Sequence, residues 1–328
     1  MKNKPVIIVA GEPYSVFLEI FFKAFKKGKL RNFNNPILLI CSCALLKKQM
    51  KKLNYNFIVN EITFDEVSDL SNNNRNINVL NVDFKFHKVF DKISTNSNTY
   101  LDNCFSLALK LIKKYNLKYL INGPISKEHF LNKKYLGMTE YFAAKTQSKN
   151  KEVMLIYSKN LSVSPVTTHL PFREVTKNLT IKKIIYNAKI IKNFYKKFLK
   201  INPNIAFTGL NPHCETTNKI SEEKEIISPA IKKLKRGKIK VGGPYPADTL
   251  FLKKNYPNYN VIIGMYHDQV LTPIKTLYGF KAINVTLGLP FIRITPDHGP
   301  NNHMLGKKKS NPDSFIEAIR FIEKLSAN

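Results

Sequence analysis

Long apolar runs are missing from this chain of 328 residues. None approaches the roughly 20 consecutive residues that a membrane-spanning helix needs, so a membrane protein is not expected. The N-terminus, Met1-Lys-Asn-Lys-Pro5, runs straight into the strand-like Val6-Ile-Ile-Val9. It lacks the apolar stretch and small-residue cleavage site of a signal peptide, and a cytoplasmic setting is expected. Cysteine is scarce. Cys41, Cys43, Cys104 and Cys214 show no zinc-ribbon spacing, and four thiols in so long a chain make no disulfide framework. Reduced, buried or half-buried thiols are expected, with Cys41 and Cys43 on one face if their segment is extended. No G-x-G-x-x-G follows the first strand and no Walker sequence occurs, which excludes an ordinary Rossmann or P-loop nucleotide site. Helix-turn-helix, zinc-finger and ribonucleoprotein aromatic motifs are missing as well.

Acid is scarce too: 23 Asp and Glu face 53 Lys and Arg, a formal charge of +30. Such an excess attracts polyanions, nucleic acid above all. The lysines are nevertheless spread along the chain, as in Lys196-Lys197, Lys232-Lys233-Lys235-Arg236 and Lys307-Lys308-Lys309. That reads as a diffusely basic, solvated surface that draws phosphorylated small molecules, with a nucleic-acid-binding protein as the alternative.

What is present is a globular composition, 43% hydrophobic, in which short apolar runs alternate with helical patterns. Strands are predicted at Val6–Ala10, Ile37–Ile40, Val79–Val82, Lys118–Ile121, Val153–Tyr157, Ser162–Thr167, Ile205–Thr208, Val261–Gly264 and Ala282–Val285. The clearest helices are Thr99–Tyr115 and Ile181–Leu199, whose apolar residues recur at three- and four-residue steps. This alternation predicts an α/β fold with a largely parallel sheet. Asn72-Asn-Asn-Arg-Asn76 reads as a polar loop, and composition marks no domain border.

Polar stretches bearing Gly and Pro recur just after the apolar runs: Asn122-Gly-Pro-Ile-Ser-Lys127, Thr167-Thr-His-Leu-Pro171, Gly209-Leu-Asn-Pro-His213 and Tyr266-His-Asp-Gln269. Open α/β sheets bind ligands outside the carboxyl ends of their strands, so these loops are candidates for one site. Three carry a histidine: His169, His213 and His267. Imidazole is the commonest metal-ligand side chain, but intervals of 44 and 54 residues match no local metal motif. Three unrelated loop histidines and one shared metal are both open on spacing alone. Arg293 and Lys275 read either as surface cations or as partners for a phosphate or carboxylate.

The motifs together resemble the 4-hydroxythreonine-4-phosphate dehydrogenase family of pyridoxal phosphate biosynthesis. Beside the loops above, the matching segments are Gly137-Met-Thr-Glu140, Gly243-Pro-Tyr-Pro-Ala-Asp-Thr249 and Leu287-Gly-Leu-Pro-Phe-Ile-Arg293, all in family order. The resemblance implies a two-domain α/β/α fold like that of isocitrate and isopropylmalate dehydrogenases, with a cleft between the domains. Residues 1–135 with 300–328 would form the first domain, and 136–299 a second carrying metal ligands and dimer contacts. It implies an oxidoreductase, a homodimer with its active site at the subunit interface, that uses NAD or NADP. One divalent metal (Zn, Mg or Co) would be bound by His169, His213 and His267, with ligands from both subunits. Thr139, Lys275, Asn284 and Arg293 would meet the substrate, and His267, Asp268 and Lys275 would carry catalysis. His298, Gly299 and Asn311 would belong to the adenosine-binding loop. Gln269 is given no role beyond hydrogen bonding.

The implied reaction oxidises 4-phosphohydroxy-L-threonine at C3, then decarboxylates it to 3-amino-2-oxopropyl phosphate. A related phosphorylated sugar acid, 4-phosphothreonate or 4-phosphoerythronate, is the alternative substrate. Three departures bear on this. Met138 stands where the family has His, and a thioether donates no hydrogen bond. The first loop, Gly11-Glu-Pro-Tyr-Ser-Val16, lacks the family's Ala-Gly-Ile-Gly continuation. His303 stands where an acidic residue commonly holds the ribose, which leaves NAD and NADP both open.

Overall fold

The first apolar run becomes β1 (Val6–Val9), and all four of its residues are fully buried. Continuous burial of an apolar strand on both faces is the mark of a parallel sheet covered by helices. The computed structural model describes residues 4–131, 134–215, 217 and 220–327. These form two compact units, Met1–Tyr141 with Pro290–Ala327, and Phe142–Leu289. The borders expected from sequence lay at 135/136 and 299/300; the units change over at 141/142 and 289/290.

The first unit continues through α1 (Phe17–Lys26), β2 (Ile37–Cys41), α2 (Cys43–Lys52), β3 (Val59–Glu61), β4 (Ile77–Asn81), α3 (Asn98–Tyr115) and β5 (Tyr119–Asn122). After α4 (Met138–Lys145) the second unit supplies β6 (Val153–Tyr157), β7 (Ser162–Pro165), α5 (Val175–Asn178), α6 (Ile181–Phe194), β8 (Ile205–Thr208), α7 (Ser228–Arg236), β9 (Val241–Tyr245), α8 (Ala247–Leu250), β10 (Val261–Gly264), α9 (His267–Tyr278) and β11 (Ile283–Leu287). The chain returns to the first unit with β12 (Ile292–Thr295) and α10 (Asp313–Ser326).

In the first unit the described strands run β3-β4-β2-β1-β5-β12, every pair parallel. Their carboxyl ends therefore share one edge, and that edge carries the loops after β1, β5 and β12. The two central loops press together. A Cβ on Gly123 would stand 2.1 Å from the Ala10 carbonyl oxygen, so only glycine permits the approach. Helix α1 covers the sheet with Phe17, Phe21, Phe22 and Phe25, all buried.

In the second unit the described strands run β11-β6-β7-β10-β8-β9. Strand β6 is antiparallel to both its neighbours, while β7, β10, β8 and β9 are parallel. Helix α6 is capped by Thr180, whose Oγ1 accepts from the Lys183 N–H at 3.2 Å, and it ends in a single π turn, Tyr195–Leu199.

Two local details go beyond the sequence pattern. Cys41 and Cys43 do not share an extended segment: Cys41 ends β2, Ser42 caps α2 by accepting from the Leu45 N–H, and Cys43 is already helical. The Asn72–Asn76 loop is pinned at Asn74, which is buried and bonded to three backbone groups. Among the described residues, no helix is long and apolar enough to cross a membrane.

Candidate active site

The histidine loops follow three neighbouring parallel strands. His169 lies beyond β7, His267 opens α9 after β10, and His213 lies beyond β8, in the order β7-β10-β8. The topology thus sets all three on one edge of the sheet. Adjacent strands lie about 4.8 Å apart, so the outer two loops start roughly 10 Å from each other.

His169 and His267 come together, with ring centroids 5.7 Å apart at 42°. Their loops are bound by Thr167, which donates to the Met265 carbonyl both from Oγ1 at 2.7 Å and from its N–H at 3.2 Å. His267 Nδ1–H donates to Asp268 Oδ1 at 2.7 Å. That bond fixes the tautomer and leaves Nε2 as the lone-pair donor, as in a carboxylate-supported metal ligand. Asp268 also sits in the first turn of α9, where the helix dipole favours a carboxylate.

His213 does not join them. Among the described residues, no three His, Cys, Asp or Glu side chains gather closely enough to hold a metal ion. His213 is exposed on a turn whose residues 213, 214 and 215 all have positive φ. The paired rings, with Nδ1 of His267 already engaged, fit a divalent cation as two of its ligands.

Lys275, two turns further along α9, is partly buried, and burial lowers its ammonium pKa. Asn284 on β11 carries an Oδ1 that is buried without a hydrogen-bond partner, an acceptor suited to an N–H or O–H of a ligand.

The first unit holds the other expected residues. Arg293 on β12 is 3% exposed, which removes the surface-cation reading. Its Nε donates to Asn122 Oδ1 at 2.7 Å and its Nη1 to Thr139 Oγ1 at 3.4 Å. Burial pulls the guanidinium down to about 9, opposed by the charge of Glu140, so it stays protonated near neutrality. Asn122 was quoted in a motif without a role. It also accepts from Thr295 Oγ1 at 3.0 Å and donates from Nδ2 to the Gly123 carbonyl, so it orients Arg293 from the end of β5. An amide ending an apolar strand was the available signal. Met138, at the start of α4, is buried.

In the loop after β12, His298 Nδ1–H donates to the Gly299 carbonyl at 3.0 Å and its ring stacks on Phe17. Its Nε2 is buried without a partner, and burial lowers the ring's pKa. This neutral acceptor suits a ligand hydroxyl or amine. Gly299 is exposed beside it. Asn311 is differently employed: its Oδ1 accepts from the Asp313 N–H at 2.8 Å, at the start of α10. Glu19, buried on α1, anchors the same loop, accepting from Lys23 Nζ at 2.8 Å and from the Ser310 N–H at 2.9 Å. Sequence reading passed over Glu19, which lies within the apolar face of its helix.

The whole arrangement has relatives. A Sulfurihydrogenibium protein named 4-hydroxythreonine-4-phosphate dehydrogenase is 35% identical over 317 residues, 95% of each chain. A Salmonella typhimurium protein named D-threonate 4-phosphate dehydrogenase is 29% identical, with 99% of this chain and 100% of that one covered. A solved Klebsiella pneumoniae 4-hydroxythreonine-4-phosphate dehydrogenase superposes with a TM-score of 0.83 at 25% identity, over 99% of both chains. The model of the family described as pyridoxal phosphate biosynthetic protein PdxA matches residues 32–322, a span that holds every histidine of the pair, Asn122, Thr139 and Arg293. On that match, the chain belongs to the PdxA family of pyridoxal phosphate biosynthetic proteins.

Proposed function

We propose that this chain is a 4-hydroxythreonine-4-phosphate dehydrogenase. It oxidises the C3 alcohol of 4-phosphohydroxy-L-threonine with NAD or NADP. The resulting β-keto acid loses carbon dioxide and leaves 3-amino-2-oxopropyl phosphate, on the way to pyridoxine 5'-phosphate. The enzyme works in the cytoplasm as a homodimer whose subunits share the histidine ligand set, as the family resemblance implies.

The observation that carries the reading is the His169–His267 pair with Asp268 bonded to His267 Nδ1. A Zn, Mg or Co ion held there supplies Lewis-acid stabilisation of the oxyanion that remains when an alcohol gives up its proton. The residues do the rest. Asp268 keeps Nε2 of His267 directed at the ligand. Lys275, its charged form disfavoured by burial, takes up a proton or pairs with an anionic substrate group. Arg293, held by Asn122, presents its planar fork with the Thr139 hydroxyl to the phosphate. Asn284 accepts a hydrogen bond from the substrate, and His298 with Gly299 meets the adenosine part of the nucleotide; Asn311 is assigned to that loop as well.

Met138 favours a second reading, a dehydrogenase of a phosphorylated sugar acid such as 4-phosphothreonate or 4-phosphoerythronate. A thioether replaces a hydrogen-bonding ring, and the Salmonella relative is named for such a substrate. Nicotinamide reduction followed at 340 nm separates the two. Turnover of 4-phosphohydroxy-L-threonine at least ten times that of 4-phosphothreonate, lost in His267→Ala, is expected. The opposite ranking selects the second reading. Full activity of His267→Ala in the presence of chelator removes both.

A further inference from the structure

Gln269 spends its whole carboxamide on joining two of the histidine loops. Its Oε1 accepts from the Met265 N–H and from Thr208 Oγ1, each at 2.7 Å. Its Nε2 donates to the Gly209 carbonyl, also at 2.7 Å. Met265 lies two residues before His267. Thr208 and Gly209 end β8 and begin the segment that leads to His213. We propose that Gln269 is a positioning residue, which fixes the backbone that leads to His213 relative to the backbone that leads to His267. The proposal rests on the reading of these histidines as ligands of one cation.

The two sides of β10 explain why this side needs a clamp. Toward β7 the backbone pairing continues past the strand ends, from the Val166 N–H to the Gly264 carbonyl at 2.8 Å and from Thr167 to Met265. The segments that lead to His169 and His267 are therefore joined by main chain and by the Thr167 hydroxyl. Toward β8 the ladder stops at Ile263 and Phe207. Beyond that point the side chain of Gln269 hydrogen-bonds α9 to the start of the His213 segment. The far side of the same segment is held by Glu223, whose Oε1 accepts from the Leu210 and Asn211 N–H groups at 2.7 and 2.8 Å. The Gly209 N–H also donates to the Tyr245 carbonyl of β9 at 2.9 Å, so the segment is held by β9, by Glu223 and by Gln269, and the Gln269 bonds tie it to the Met265 backbone before His267.

The local sequence is shaped around that amide. A Cβ on Gly264 would stand 2.4 Å from Val270 Cγ1 and 3.1 Å from Gln269 Oε1, so glycine at the end of β10 leaves the room. The residue type is also specific. The clamp needs an acceptor that serves two donors and a donor that serves a carbonyl. Glutamate has the same shape but would set a carboxylate oxygen against the Gly209 carbonyl.

The test measures Co2+ binding by visible absorbance on the full-length protein, with metal-free melting and amide hydrogen exchange alongside. In Gln269→Glu the Co2+ dissociation constant is expected to rise at least about 10-fold, the scale on which residues supporting metal ligands act. Exchange at residues 209–215 is expected to quicken without metal. Thr208→Val should share the deficit, Thr208→Ser should restore wild-type affinity, and Thr208→Val with Gln269→Glu should be no worse than Gln269→Glu alone. A role in stability only would lower the melting point and leave the affinity of the folded protein unchanged; that result overturns the proposal. If wild type binds Co2+ no better than His267→Ala, the ligand reading itself falls and takes this inference with it. If His267→Ala loses Co2+ and Gln269→Glu keeps it, only the inference about Gln269 falls.

Discussion

Glu12, in the loop after β1, is 2% exposed, and both its carboxyl oxygens lack a partner at bonding distance. Burial pushes the carboxyl from 4.5 up to about 7, and the nearby Ser97 hydroxyl and Tyr14 N–H only partly oppose this. The native state therefore holds this proton more tightly than the unfolded chain does. Stability is present in full below the unfolded value and is lost as pH rises from 4.5 towards 7. A displacement of that size corresponds to at most about 3 kcal/mol. Glu12→Gln carries no such titration. Between pH 4 and pH 8 the wild type is expected to lose up to about 3 kcal/mol relative to the variant, read by chemical denaturation across that range. Parallel curves for the two proteins would show that Glu12 is better solvated than its burial indicates.

At the scale of elements, Asn74 does for β2 what a longer ladder would. Its Oδ1 accepts from the N–H of Ile37, the first residue of that strand, and its Nδ2 donates to the Phe33 and Asn35 carbonyls, each bond at 2.9 Å. Asn74→Ala strands buried backbone groups at roughly 1–3 kcal/mol each, partly relieved by water. A loss of about 2–4 kcal/mol in urea unfolding, with the m-value unchanged, is expected. A loss under about 1 kcal/mol would mean that solvent takes over the bonds. Nothing in the run Asn72-Asn-Asn-Arg-Asn76 distinguishes Asn74 from its neighbours, because its partners lie about forty residues away. The same limit explains what sequence alone could place. Buried, uninterrupted strands such as β6, β8 and β10 were legible to the residue, and α3 to within one. Strand β9, Val-Gly-Gly-Pro-Tyr, was hidden by its turn residues, β3 is three residues long, and the buried Arg293 masked β12. At the site, the loops were legible because polar Gly- and Pro-bearing stretches follow apolar runs. The separation of His213 from the other two rings was not, since it depends on how one turn folds beyond the end of its strand.

For the whole molecule the governing quantity is the charge of +30. With 53 basic and 23 acidic side chains, more than half the cations have no carboxylate available as partner. Pairs such as Lys114–Asp65 at 2.7 Å are exposed and contribute little. Two effects follow, of opposite sign. Self-repulsion among the lysines destabilises the folded state, and the same field draws in phosphorylated anions. Salt weakens both, since the screening length falls from about 30 Å at 0.01 M to about 8 Å at 0.15 M. The melting point is therefore expected to rise between 0.01 and 0.15 M NaCl while kcat/KM for a phosphorylated substrate falls several-fold, chiefly through KM. Non-specific nucleic-acid binding, if the charge is diffuse, should vanish over the same range rather than persist at submicromolar affinity. Melting curves, initial rates and a fluorescent oligonucleotide titration at both salt concentrations decide it. A melting point that falls with salt would mean that the lysines are organised into stabilising networks. A submicromolar oligonucleotide complex at 0.15 M would mean that they form a groove.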